Sequence, residues 1–220
     1  MIKAVLFDFD GLLVDTEIVS LKIYQEILSE YGFQFSKEEY SKHYSVKTEV
    51  ENIQRLINTY HLSLTHQECL NKVLDVEQKL IAQSVELKTG VKPLLQFLKE
   101  NNFKTALATS STRERAISIL KRHDILHYFD EFVFSEDVNS SKPDPEVFLK
   151  ACEKLHVSPG KAIVLEDSEN GIKAAYNAHI PVICIPDMKK PAKEYLDKAL
   201  HVYETLNDVI PYLQSFIKEK

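Results

Sequence analysis

The chain has 220 residues and a formal net charge of -6, with 44% hydrophobic and 27% charged residues, as in one large or two modest globular domains. An acidic chain without a Lys/Arg-rich block is a poor nucleic-acid binder, and no apolar run approaches the roughly 18 residues that a membrane span needs. The scattered cysteines Cys69, Cys152 and Cys184 argue against a disulfide framework or a zinc site and favour a cytoplasmic protein.

The chain opens with a predicted buried strand. Lys3 to Phe9 contains a continuous apolar run, as expected where helices cover both faces of a parallel sheet. Carboxylates at Asp8 and Asp10 fall where a signal peptide needs an uninterrupted apolar core, so no secretion signal is expected. A helix is predicted next, from Thr16 to about Tyr31.

The stretch from Ser36 to about Gln83 has a helical pattern throughout. Two capping boxes, Ser36–Glu39 and Thr65–Glu68, indicate helix starts, and apolar residues recur at helical spacing without an intervening strand pattern. We therefore predict an all-α helical domain over residues 16–85. It interrupts a second domain formed by residues 1–15 and 86–220.

After Gly90 the pattern alternates between strand and helix. The predicted strands are Lys104 to Thr109, Glu131 to Phe134, Lys161 to Glu166 and Pro181 to Ile185. The predicted helices are Arg113 to Arg122, Glu146 to Leu155, Asn170 to Ala178 and a closing helix over Leu206 to Lys218. Strands separated by helices indicate βαβ units and a parallel sheet. The predicted fold class is α/β, with an inserted all-α domain.

Two acids and a glycine follow the first strand. Side chains alternate along a strand, so Asp8 and Asp10 can leave its end on the same side, where α/β sheets bind ligands. The two carboxylates repel each other unless a cation intervenes, and Mg²⁺ prefers oxygen ligands. A carboxylate is also a nucleophile in aspartyl-phosphate chemistry, and Gly11 allows a close backbone approach to a substrate. The alternative, two solvated loop acids, is disfavoured directly after an apolar strand.

Three hydroxyl residues, Thr109, Ser110 and Ser111, end another predicted strand just before a helix. Hydroxyls and free N–H groups at a helix start form an anion site, so Thr109 and Ser110 are candidates for holding a phosphate. Simple capping of the helix by Ser111 or Thr112 explains this motif equally well when it is taken alone.

Lys142 precedes a rigid helix entry, Pro143-Asp144-Pro145, in which Pro145 suits the first helical position and Asp144 the N-cap. An ammonium group held here can pair with a phosphate and with Asp8. Taken alone, a solvated surface lysine is the favoured interpretation, because that is the usual environment of lysine.

A further strand ends in Glu166 and Asp167, followed by Ser168, which can cap the next helix, and by Gly171. Asp167 is the better candidate for a metal ligand, with Glu166 as a second ligand or as a residue that supports one. Two acids that merely stabilise a helix start are the alternative.

These four motifs end separate predicted parallel strands, so they face one rim of the sheet. Together they supply the nucleophile, metal site, phosphate cradle and cation that phosphoryl transfer needs. In this order, and over essentially the whole chain, they resemble the motifs of the haloacid dehalogenase superfamily: Asp8-x-Asp10-Gly11, Thr109, Lys142 and Glu166-Asp167. The inserted helices resemble the cap of its β-phosphoglucomutase-like members. The resemblance implies a Rossmann-like core with a mobile cap.

The resemblance also implies a role for each motif residue. Asp8 would attack phosphorus, and Asp10 would protonate the leaving oxygen and then deprotonate the hydrolytic water. Mg²⁺ would be held by Asp8, the Asp10 backbone carbonyl and Asp167. The phosphate oxygens would be held by Thr109, Ser110 and Lys142.

Two departures from the family pattern favour a phosphatase over a mutase. Ser20 stands where the β-phosphoglucomutase branch carries a His, and residues 41–48 lack the expected Gly-x-x-Arg pattern. His43 and Lys47 are candidate substrate contacts, although a solvated face is the favoured interpretation for both.

The resulting expectation is a monomeric, Mg²⁺-dependent phosphomonoester hydrolase for a small phosphorylated metabolite, such as a sugar or nucleoside phosphate. A β-phosphoglucomutase-type sugar phosphomutase is the alternative. A non-catalytic binding protein on the same fold is a third hypothesis, which is disfavoured because a binding module has no need for both Asp8 and Asp10.

Overall fold

The structure is a computed structural model that describes residues 1–45, 49–83 and 85–217, with the backbone alone at residues 78 and 81–83. It contains two compact units: Met1–Val14 with Leu87–Lys220, here the core unit, and Asp15–Glu86, here the inserted unit. The inserted unit is one residue longer at each end than the predicted 16–85, and its two end residues are bonded, with the Asp15 N–H donating to the Glu86 carbonyl at 3.0 Å.

A six-stranded parallel sheet forms the centre of the core unit. Its strands are β1 (Ala4–Phe7), β2 (Lys104–Ala108), β3 (Glu131–Val133), β4 (Ala162–Glu166), β5 (Val182–Cys184) and β6 (His201–Val202). Their order is β3-β2-β1-β4-β5-β6, that of doubly wound Rossmann sheets. The chain crosses from β3 to the other side of β1 when it enters β4. In such sheets ligands bind beyond the carboxyl ends of the strands at this switch point.

The apolar run of the first strand lies at the centre of the sheet. All four residues of β1 are fully buried, and β1 pairs in parallel with both β2 and β4. Phe7 is in register with Leu107 of β2 and Leu165 of β4, so the three strands end within one residue of each other. The residues that follow these strands are therefore close neighbours.

The inserted unit consists of α1 (Thr16–Glu30), α2 (Lys37–His43), α3 (Glu49–Tyr60) and α4 (His66–Gln83). Both predicted capping boxes mark helix starts: the Glu39 N–H donates to Ser36 Oγ at 3.0 Å, and the Thr65 N–H donates to Glu68 Oε2 at 2.8 Å. Aromatic rings fill the interior of this unit: Tyr24 and Phe35 contact each other, and each also contacts Tyr40 and Tyr44.

The described residues of the core unit also form six α-helices: α5 (Val91–Glu100), α6 (Arg113–Arg122), α7 (Glu146–Lys154), α8 (Glu169–Asn177), α9 (Lys193–Leu196) and α10 (Val209–Gln214). The closing helix is shorter than the predicted Leu206 to Lys218, since Leu206–Asp208 form a 3₁₀ turn and Lys218 lies outside the described residues. No helix within the described ranges is both long enough and apolar enough to span a membrane.

The fold class is therefore α/β, with a Rossmann-like parallel-sheet core and an inserted all-α helical unit, as the sequence predicts.

Candidate functional site

Asp8 occupies the first position after β1 and is almost completely buried. Its backbone N–H donates to the Leu165 carbonyl at 3.1 Å, which extends the pairing of β1 with β4 by one residue. Gly11 follows with a φ of +80°, and a Cβ there would lie 2.4 Å from Asp167 Oδ2. Glycine is thus required at position 11 both by the backbone conformation and by the approach of Asp167.

Lys142 joins the carboxylates of Asp8 and Glu166. Its ammonium contacts Asp8 Oδ1 and lies 2.8 Å from Glu166 Oε1. The exposed fractions of the three side chains are 6% for Lys142, 10% for Asp8 and 1% for Glu166. Burial alone would lower the pKa of Lys142, but the two carboxylates outweigh it and raise that pKa. Lys142 is therefore a buried cation rather than the solvated lysine of the alternative interpretation.

The second oxygen of Glu166 organises the start of α8. Glu166 Oε2 accepts hydrogen bonds from the Asp167 N–H at 2.8 Å, the Ser168 N–H at 2.8 Å and the Ser168 hydroxyl at 2.9 Å. Ser168 in turn caps α8 by accepting from the Gly171 N–H at 3.1 Å, as predicted. Both oxygens of Glu166 are thus engaged by groups of the protein.

Gly171 makes room for the Glu166 carboxylate. A Cβ at Gly171 would lie 1.6 Å from Glu166 Oε1, whereas a Cβ at Gly160 would meet no atom within 4 Å. Ala normally stabilises a helix interior relative to Gly by about 1 kcal/mol, but here it would displace Glu166 and the Lys142 ammonium bonded to it.

We therefore expect Gly171→Ala to lower the thermal midpoint of unfolding, because a displaced Glu166 carboxylate would leave the buried Lys142 ammonium without one of its partners. Gly160→Ala is the control and should leave the midpoint unchanged. Thermal unfolding of the two variants measures the effect, and equal midpoints would contradict the close approach of Glu166 to Gly171.

Asp8, Glu166 and Asp167 form an acidic cluster at the ends of β1 and β4. One carboxylate oxygen from each lies within 4.8 Å of the others. Burial raises the pKa of Asp8 to about 7, although Lys142 opposes the shift. Burial also raises the pKa of Asp167 well above its ordinary value, and the neighbouring carboxylates raise it further. Such a cluster of oxygen donors has more negative charge than Lys142 neutralises, which suits a hard divalent cation such as Mg²⁺.

Asp10 has different partners from Asp8. Ser111 Oγ donates to Asp10 Oδ2 at 2.5 Å, and Arg115 Nη1 donates to Asp10 Oδ1 at 2.7 Å. Arg115 was not predicted as a site residue. It lies in the first turn of α6, four residues after Ser111, which directly precedes the Thr112 N-cap, and a basic residue so close to the hydroxyl motif is a signal that could have identified it.

The hydroxyl motif follows β2, beside β1. Thr109 is buried, and its Oγ1 accepts from the Ser111 N–H at 2.9 Å, so it also shapes the turn into α6. Ser110 is exposed. Thr112, rather than Ser111, occupies the N-cap position of α6.

A further ion pair, Lys88 with Asp187, lies near the acidic cluster and was not predicted. Lys88 Nζ lies 2.5 Å from Asp187 Oδ1, and a Cβ on Gly11 would be 3.3 Å from Asp187 Oδ2. The negative charge of Asp187 contributes to the raised pKa of Asp167. Its signal in the sequence was the same as for Asp8, namely an acid shortly after an apolar strand, here β5.

The two candidate substrate contacts belong to the inserted unit. His43 lies exposed in α2, and Lys47 falls outside the described residues. Ser20 lies in α1, where its side chain hydrogen-bonds to that of Tyr40.

Comparison with known proteins agrees with this architecture. A model of the haloacid dehalogenase-like hydrolases matches residues 5–185. The phosphorylated carbohydrates phosphatase of Thermotoga maritima is 33% identical over 178 residues, or 81% of this chain and 82% of that protein. The β-phosphoglucomutase of Bacillus subtilis is 31% identical over 183 residues, or 80% of each. A crystal structure provisionally described as a Thermotoga maritima β-phosphoglucomutase has 29% identity and a TM-score of 0.85, covering 97% of this chain and 99% of that one.

A Rossmann-like core with an inserted helical unit and a strand-end acidic cluster defines an α/β enzyme. The chain belongs to the haloacid dehalogenase-like hydrolase family. Within that family it is similar to phosphatases and β-phosphoglucomutase-like members.

Proposed function

We propose that the chain is a Mg²⁺-dependent phosphomonoester hydrolase for a small phosphorylated metabolite of the sugar or nucleoside phosphate class. The observation that carries this proposal is the buried Asp8 at the end of the central strand, which is bonded to Lys142 and belongs to the acidic cluster. The name of the Thermotoga maritima phosphatase supports the substrate class. In this proposal the inserted unit serves as the family's cap.

The reaction has two chemical steps. First, an Asp8 carboxylate oxygen attacks phosphorus, the ester P–O bond breaks, and the leaving oxygen takes a proton from the Asp10 carboxyl group. Second, water attacks the phosphorus of the aspartyl-phosphate, its proton passes to Asp10, and the Asp8–phosphate bond breaks to release phosphate. Asp10 thus regains its proton for the next turnover.

Lys142 has two tasks in this scheme. Its contact with Asp8 favours the charged form of a buried carboxylate and orients it for attack, and its charge offsets that of the incoming phosphate. Thr109 and Ser110, with the backbone near Gly11, are assigned to holding the phosphate oxygens. A buried lysine fixed by two carboxylates is suited to this role because little water can compete for the hydrogen bonds of its ammonium group.

For the metal, we assign Asp8, Asp167 and the backbone carbonyl of Asp10 as ligands. Glu166 was a candidate ligand, but both of its oxygens accept hydrogen bonds within the protein, so we assign it to holding Lys142 and the Asp167 loop. A bound Mg²⁺ supplies charge neutralisation for the phosphate and the attacking carboxylate. The raised pKa values of Asp8 and Asp167 support a cation here, because such a charge offsets their mutual repulsion.

The test measures phosphate release, with Mg²⁺ and with EDTA, from a panel of phosphorylated sugars, nucleotides and phosphorylated acids of glycolysis. We expect release that requires Mg²⁺ and a specificity constant that is highest for one class of ester. If no ester of the panel releases phosphate in a Mg²⁺-dependent way, the proposal is refuted and the non-catalytic binding protein becomes the better hypothesis.

A sugar phosphomutase is a second candidate, favoured by the likeness to β-phosphoglucomutases. Ser20 argues against it, because a hydroxyl bonded to Tyr40 does not replace the His of that branch. Conversion of a hexose 1-phosphate to its 6-phosphate, primed by a bisphosphate and faster than phosphate release, would establish the mutase.

A further inference from the structure

Asp10 is held by Ser111, which directly precedes the N-cap of α6, and by Arg115 in the first turn of that helix. Ser111 Oγ donates to Asp10 Oδ2 at 2.5 Å, Arg115 Nη1 donates to Asp10 Oδ1 at 2.7 Å, and Arg115 Nη1 also reaches Ser111 Oγ at 2.5 Å. The three side chains form a closed triangle of hydrogen bonds. We infer that Ser111 and Arg115 are positioning residues for Asp10, an inference that rests on the proposed function and its use of Asp10 to move protons.

The triangle is anchored to the sheet through Ser111. The Ser111 N–H donates to Thr109 Oγ1 at 2.9 Å, and the Ser111 carbonyl accepts from the Ser135 N–H at 3.1 Å. Ser111 is thereby tied to the segments that follow β2 and β3. Because Ser111 cannot move independently of the sheet, its hydroxyl is a fixed reference point for the Asp10 carboxylate.

Asp10 needs such a reference. Its side chain is 35% exposed, whereas that of Asp8 is 10% exposed and bonded to the buried Lys142. A short side chain in an exposed turn samples several rotamers unless its oxygens are bonded. The triangle bonds both Asp10 oxygens on the β2 side, while Lys142 holds Asp8 together with Glu166 of β4. The two acids are therefore held by separate sets of partners.

The alternative is an ordinary half-exposed ion pair that contributes little to stability and nothing to the reaction. The two interpretations differ in how far the removal of Arg115 slows the reaction with different leaving groups. Protonation of the leaving oxygen matters greatly for an alkoxide leaving group and little for p-nitrophenolate, which is a weak base. Misplacing Asp10 should therefore slow the transfer of phosphate from alkyl esters more than from aryl esters.

The experiment compares kcat/KM of wild type and Arg115→Met with p-nitrophenyl phosphate and with an alkyl ester such as glycerol 2-phosphate. We expect kcat/KM for the alkyl ester to fall by about 10- to 100-fold and that for the aryl ester by only a few fold. Ser111→Ala should show the same selectivity in weaker form, and Arg115→Lys should restore part of it. Arg122→Met, the same change at the far end of α6, should alter neither value.

Each result has a definite meaning. Equal losses for both esters, accompanied by a lower thermal midpoint, would show a structural ion pair and overturn the inference. If Arg115→Met does not fold, an unchanged ester selectivity in Ser111→Ala overturns it instead. Wild-type protein inactive on both esters and on every ester of the metabolite panel would refute the proposed function as well, whereas an active wild type with an unaltered selectivity in both variants refutes the positioning role alone.

Discussion

Asp8→Asn is expected to reduce kcat for phosphate release by at least about 10³-fold, because a carboxamide cannot attack phosphorus in place of a carboxylate. The fold should be retained. Asn has nearly the same shape as Asp, and Lys142 keeps its bond to Glu166 at 2.8 Å. The variant also removes one negative charge from the acidic cluster, so its thermal midpoint in EDTA should equal or exceed that of wild type.

The measurements are phosphate release on the best ester of the panel, thermal unfolding in EDTA, and intact mass after a rapid acid quench with substrate. Wild type, but not Asp8→Asn, should show the mass of one added phosphate. Asp124→Asn is the matched control, because Asp124 is an exposed residue of the same unit with a φ of 55° that Asn also tolerates. Retained turnover in Asp8→Asn would refute the assignment of the nucleophile.

Lys142→Met should destabilise the protein by about 3–5 kcal/mol, since it leaves the buried carboxylates of Asp8 and Glu166 without their shared cation. Turnover should fall by at least about 100-fold, because both the orientation of Asp8 and the charge that faces the phosphate are lost. Lys193→Met is the control. It removes an exposed ion pair with Asp197, which is worth at most about 1 kcal/mol.

The effect of Lys142→Met should also depend on pH. The folded-state pKa of Asp8 is already raised from 3.8 to about 7, chiefly by burial, and the loss of Lys142 raises it further. A raised acid pKa means that the folded state binds more protons than the unfolded state, so stability falls as pH rises through that window. Urea unfolding in EDTA should show a larger deficit at about pH 8.5 than at about pH 6. A deficit that is constant with pH would contradict the buried ion pair.

The sequence predicted the elements of the fold best where local pattern and burial agree. The apolar run before Asp8 indicated a central parallel strand, and the capping boxes marked the starts of helices in the inserted unit. It was less accurate at the ends of elements. β1 stops at Phe7 rather than Phe9, because after Asp8 the chain leaves the sheet and turns at Gly11. The two-residue β6 was missed, since so short a strand has no readable period.

The sequence by itself determined which chemical groups are available at the site, because acids, hydroxyls and a lysine that follow apolar strands can be recognised as local motifs. Only the tertiary structure decided how these groups are paired. Lys142 forms ion pairs with Glu166 as well as with Asp8, both oxygens of Glu166 accept hydrogen bonds from the protein, and Asp10 pairs with Arg115. Residues far apart in the sequence become partners only when the parallel strands align their carboxyl ends, and no local pattern encodes that alignment.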